Sequence, residues 1–201
     1  MSTMRIAVMS AIAVAFAASS AVAQEKFVRV VGQIVSVDDS AFVVKQAKGP
    51  DATVKLRPKA GVFGVTNATL KDVTPGAFIG VGATPQADGS QKAIRVMIFA
   101  EVQRGTGEGH RPWNRPNTTM TNATVDTTAE GVDGQVLTVK YKGGTQKIII
   151  ASDTVIMAYV VGDQSELKPG ARIAINGAVQ MADGSLEAAR VNVGRGDVQP
   201  D

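Results

Sequence analysis

The chain of 201 residues has no cysteine, which excludes disulfide staples and thiolate chemistry. Aromatic residues make up 4% of it, with one tryptophan, Trp113, and there is one histidine, His110. That histidine is the only candidate base for a serine triad. It sits in a Gly/Pro-rich stretch with no nucleophile elbow around any serine, so hydrolytic catalysis has no support. Scarce aromatics and a formal net charge of +3 argue against a single-stranded nucleic-acid groove, which needs a basic track with exposed stacking platforms. Calcium-loop and zinc-site spacings are absent. The carboxylates at Asp38-Asp39, Asp88, Asp133 and Asp183 fall in turns, where bonds to nearby backbone N–H groups account for them. Gly105, Gly107 and Gly109 do not follow a strand and open a helix, as a phosphate loop would. Beyond residue 23 no run approaches the roughly 20 apolar residues that cross a bilayer.

The first 23 residues are read apart from the fold. Arg5 gives a positive start, Ile6 to Ala18 is an apolar run, and Ala21-Val22-Ala23 precedes Gln24. This is the pattern of a secretory signal peptide cleaved after Ala23, which places the mature protein in the periplasm or outside the cell.

The remainder is written twice. Val73-Thr74-Pro75-Gly76 leads to Asp88-Gly89-Ser90 and then Ala93-Ile94-Arg95-Val96. Leu167-Lys168-Pro169-Gly170 leads to Asp183-Gly184-Ser185 and then Ala188-Ala189-Arg190-Val191, about 95 residues later. Each copy reads as five or six short strands, rich in Val and Ile, punctuated by hairpin signals and one helical turn before the Pro-Gly. Phe27 to Val37 opens the first copy, with Gly32 at an expected change of phase between Val28, Val30 and Val35, Val37. Ala41 to Lys45 and Ala52 to Leu56 follow, 58–67 reads as irregular, and Ile94, Val96 and Ile98 are expected on one face of the last strand. The expected fold is all-β, two tandem small barrels of OB-like type, because strands this apolar need closure to remove their edges. A β-sandwich is the alternative. The expected divisions are barrel 24–100, a Gly/Pro-rich linker 101–122, barrel 123–194, and a frayed tail 195–201. Arg95 and Arg190 hold matching last-strand positions and read as charges that block edge pairing.

Signal peptide, Val-x-Gly-x-Ile strand, Leu-Lys-Pro-Gly turn, Asp-Gly-Ser hairpin and Ala-Arg-Val strand together resemble a family of secreted bacterial β-barrel domains of unknown function. Some of its members are labelled metal ABC-transporter permeases. The resemblance implies a fold and a compartment. A permease would need several spanning helices, which this chain lacks, but metal-associated transport remains compatible.

The segment from Arg104 to Asn122 carries both His110 and Trp113. It supports three readings. In the first it is a linker whose tryptophan caps a barrel or joins the domains. In the second, His110 and Met120 ligate a soft ion such as Cu(I) or Ag(I), Trp113 lies against it, and Glu108 or Asn114 orients the imidazole. That set is similar to the site of the small periplasmic copper chaperone of efflux systems, which implies ligand roles for His110 and Met120 and a cap at Trp113. It lacks that family's second methionine, because Asn122 stands there. In the third, His110, Arg111, Trp113 and Arg115 recognise an envelope protein or an anionic polymer, Arg and Trp being the residues that anchor interfaces. The sequence thus points to an exported, non-enzymatic binding protein without an assured cofactor, metal handling being the alternative.

Overall fold

The computed structural model describes residues 26–38, 40–131 and 134–200. The expected signal peptide lies outside these, as do Asp39 and Asp133 of two expected turns. Among the described residues twelve strands form one continuous sheet. They are β1 (Phe27–Val37), β2 (Ala41–Gln46), β3 (Ala52–Asn67), β4 (Phe78–Pro85), β5 (Gln91–Ile98) and β6 (Gly109–Pro112), followed by β7 (Thr119–Gly131), β8 (Gly134–Tyr141), β9 (Gly144–Ile150), β10 (Val155–Val161), β11 (Arg172–Gln180) and β12 (Leu186–Gly194). Among the described residues no helix is long and apolar enough to cross a membrane.

The sheet closes into barrels, but they are not the two sequence copies. β1, β2 and β3 of the first copy join β11 and β12 of the second, and parallel pairing of β12 with β3 shuts the ring. This ring is a closed five-stranded barrel. Its interior holds Val30, Ile34, Phe42, Val44 and Val54 from one copy with Ile173, Ile175, Val191 and Val193 from the other. The second ring reverses the donation: β4 and β5 come from the first copy, and β7, β8 and β9 from the second. It is shut by the parallel pairs Gln91–Ile148 and Lys92–Ile149. Its core combines Ile79, Val81 and Val96 with Val125, Leu137, Val139 and Ile148. Each barrel therefore takes its first three strands from one copy and its last two from the other. The contiguous domains expected at 24–100 and 123–194 give way to this exchange.

The exchange is close to two-fold. In the first barrel Arg190 pairs with Gly61; in the matching ladder Arg95 pairs with Val155, both partners displaced by about 95 residues. The axis passes near the antiparallel pair Val65–Tyr159, where β3 and β10 meet. β10 is the joint of the molecule, antiparallel to β3 on one side and parallel to β5 on the other.

Several local expectations change for physical reasons. Residues 58–67 are not irregular: β3 bends at Lys59, φ 62°, and continues. Its second half pairs with β10 and β12 in the exchange, partners that the local sequence does not announce. β1 keeps its phase, with Val30 and Ile34 inward and Val35 and Val37 exposed. Bulges still flank Gly32, which pairs with β11 and β2 at once. Ile94 is left out of the ladder by a bulge between Gly82 and Ala83 and lies outward, so Ala93 and Val96 face the core. The tail is packed: Val198 is buried with Val65 and Met157, and Arg195 forks onto Glu166. The helical turns before each Pro-Gly are present as Leu70–Asp72 and Gln164–Glu166.

The turns follow one design, Asp-x-Ser. At Asp38, Asp88, Asp163 and Asp183 the carboxylate accepts from both the backbone N–H and the hydroxyl of the serine two residues on. These bonds favour the charged form and hold each carboxyl below its ordinary range; Asp183, helped by Lys55, falls to about 2. A carboxyl with a lowered folded pKa adds stability above its unfolded value, about 3.9, and loses it as pH drops through the folded value. Thermal melts should therefore show a nearly level midpoint from pH 7 to about 5, then a fall between about pH 4 and 2. A midpoint unchanged down to pH 2 contradicts this role.

Candidate functional site: an arginine-lined cleft between the barrels

An edge-to-face run of rings crosses the junction. Phe63 meets Tyr159 at 6.4 Å, Tyr159 meets Phe99 at 5.5 Å, and Phe99 meets Phe78 at 5.3 Å between centroids. Above the run the outer faces of β1, β11 and β12 approach those of β4, β5 and β7 across a cleft of about 700 Å³. That volume lies within the roughly 300–1,000 Å³ of small-molecule sites. No Asp or Glu lines it among the described residues, whereas Arg29, Arg95, Arg111, Arg115 and Arg190 do.

The partners of these arginines distinguish them from those elsewhere. Outside the cleft Arg57, Arg104, Arg172 and Arg195 each pair with a carboxylate. The Glu166 carboxylate raises Arg195 above its usual range and is itself lowered in return. Inside the cleft Arg29, Arg111, Arg115 and Arg190 have neutral companions among the described residues. Arg29 donates from Nε to Asn176 Oδ1 at 3.1 Å, and Arg190 from Nε to Asn192 Oδ1 at 3.2 Å. Arg111 donates to the Gly107 carbonyl at 2.7 Å, and Arg115 lies 5.3 Å over the Trp113 ring. Arg190 also sits 5.2 Å from the Phe63 centroid and 4.8 Å from that of Tyr159. These contacts orient four guanidinium groups, and no carboxylate among the described residues compensates their charge.

The segment expected to be a linker forms part of this wall. Residues Gly109–Pro112 form β6, paired along β7. In that ladder His110 stands opposite Thr121, while Arg111 stands opposite Met120. Side chains alternate across a strand, so His110 and Met120 point to opposite faces. The Cu(I)/Ag(I) site expected from them is not assembled. His110 bonds through Nδ1 to Thr121 Oγ1 at 2.8 Å and stacks near Tyr141. Glu108 does not orient the imidazole; it accepts from the Lys142 backbone N–H. Asn114 lines the cleft, on the side that His110 does not face. Among the described residues no group of three or more His, Cys, Asp or Glu side chains is placed to hold a metal ion.

Of the expected recognition set, Arg111, Trp113 and Arg115 come together in the cleft with Met120, and His110 does not. Trp113 rests on Gly82, where an added methyl would come within 2.6 Å of its Cζ3. Gly82→Ala should therefore displace the indole and shift its fluorescence to longer wavelength; unchanged emission contradicts the seating. Arg29, Arg190, Asn176 and Asn192 were not legible as site residues. Arg95 and Arg190 do not block sheet edges, because β5 and β12 are each paired on both sides. Their matching positions in the two copies were the available signal, since both face the cleft across the axis. Compared with protein-family models, curated proteins and solved structures, the chain matches none.

Proposed function

We propose that this is an exported, non-enzymatic binding protein of the bacterial envelope that holds an anionic ligand in the cleft between its barrels. One observation carries the reading. Four arginines of the cleft are oriented by asparagine, carbonyl or indole groups, while four arginines elsewhere are neutralised by carboxylates. Guanidinium forks match carboxylate and phosphate oxygens in pairs. Fixing them in advance lowers the ordering cost of binding. The reading extends the expected recognition role of Arg111, Trp113 and Arg115 to an anionic ligand and leaves His110, which does not line the cleft, outside it.

Trp113 reports on the site from within it. Titration with sodium tripolyphosphate should change its emission saturably near one equivalent, and added salt should weaken the binding. Asn176→Asp with Asn192→Asp keeps the side-chain shapes but places carboxylates against Arg29 and Arg190. That pair should weaken binding at least tenfold. No saturable change in the unaltered protein, or full binding by the double variant, overturns the proposal.

A further inference from the structure

The two walls of the cleft correspond under the two-fold relation, and they are not equally covered. On one wall Trp113 lies on Gly82, with three indole atoms within 3.1 Å of where a Cβ would stand. About 95 residues on, Gly177 of β11 lines the same cleft, and the nearest atom to its would-be Cβ is Phe27 Cδ1 at 3.9 Å. The protein's own ring occupies the first glycine and leaves the second open. Ala189 of β12 also lines the cleft, so Gly177 and Ala189 together make a floor of small residues. Arg190 comes from β12, a strand of this floor, and Arg29 from β1, which pairs with β11; each is held at Nε by an asparagine. Asn192 is 3% exposed and lines the cleft; its oxygen accepts from Arg190, and its side-chain nitrogen has no partner among the described residues.

We infer that the anionic ligand is an acidic oligosaccharide, with one sugar ring seated on the Gly177–Ala189 floor and its carboxylate gripped by Arg29 and Arg190. The neighbouring sugar reaches the exposed edge of Trp113, and Arg111 together with Arg115, which lies over that ring, takes the next carboxylate. This inference rests on the cleft being an anion site. Three features select a sugar over an inorganic polyanion. An open backbone floor and an indole both favour a ring. Four asparagines, 114, 122, 176 and 192, line the cleft. The oxygens of Asn176 and Asn192 accept from the arginines, and Asn122 donates to the Thr106 carbonyl. The cleft still presents amide donors from Asn176 and Asn192, an acceptor from Asn122 and both from Asn114, a mixture that fits hydroxyl groups. A bare phosphate chain has acceptors only and would leave the amide oxygens of Asn114 and Asn122 without a donor.

Calorimetric titration of the protein with a galacturonate trimer, its methyl ester and sodium tripolyphosphate separates the cases. The trimer should bind near one equivalent, and the ester, equal in shape but uncharged, at least tenfold more weakly. Gly177→Val, which raises a branched side chain from the floor, should weaken trimer binding at least tenfold and tripolyphosphate binding by a smaller factor. If that variant does not fold, Ala189→Leu reads the same floor. Binding of tripolyphosphate without the trimer overturns the sugar and leaves the anion site standing. Equal binding of trimer and ester, or unweakened trimer binding by the floor variant, also overturns it. Failure of all three ligands removes both readings.

Discussion

Cutting the backbone at a protease site inserted after Gly105 is expected to leave both fragments bound as one particle of native size. Gly105 lies in the exposed turn before β6, beyond the last strand of the first copy. The first fragment would keep β1 to β3 of one barrel and β4 and β5 of the other; the second would keep the remaining strands. Separation would open both interiors at once. Val30, Ile34 and Val54 would leave Ile173, Ile175 and Val191, while Ile79 and Val81 would leave Leu137 and Ile148, all of them essentially inaccessible to solvent in the intact fold. Full burial of such a side chain is worth about 1.5–3 kcal/mol. Ten of them outweigh even the upper part of the roughly 4–15 kcal/mol cost of holding two bodies together. Native mass spectrometry should find the pair intact, parting only in denaturant. Two independent folded halves after cleavage would mean that the copies fold as beads on a linker.

Gly32→Ala is expected to destabilise the protein by about 3 kcal/mol or more, near the upper end of overpacking costs. At Gly32 the strand pairs with Ile173 on one side and Gln46 on the other. A methyl there would overlap the Lys45 carbonyl oxygen. The obstructing atom is backbone in a ladder and cannot rotate aside as a flexible side chain would. Urea unfolding measures the loss directly. A change under 1 kcal/mol would show that β2 does not approach so closely, and the first ring would then be looser than described. Gly49→Ala is a useful comparison: space around it is open, but its φ of +94° adds backbone strain without a clash.

The strands were legible because Val and Ile alternate between turn signals, and Asp-Gly and Pro-Gly marked their ends. Closure was legible from the apolar content of strands that could not be left as edges. The exchange was not. A strand's sequence records which face is buried, but not which of two similar partners buries it, and β11 and β4 carry related patterns. The continuation of β3 past Lys59 was hidden for the same reason, since its second half is stabilised by β10 and β12 rather than by its own composition. In the site, Arg111, Trp113 and Arg115 stood out because they are close in sequence and rare in type. His110 and Met120 stood out equally, and there spacing misled. Two residues in paired strands share a face only if the register allows it, and here Met120 is one residue off. Arg29 and Arg190 come from opposite ends of the chain, so only the fold brings them to one floor.

The anion site can be located outright by anomalous diffraction from crystals soaked in selenate, whose heavy atom marks a tetrahedral dianion. Selenate is expected in the cleft, within hydrogen-bond reach of the terminal guanidinium nitrogens of Arg29 and Arg190, and absent from the same place in the Asn176→Asp, Asn192→Asp variant. An empty cleft in crystals that bind selenate elsewhere on the surface would contradict it.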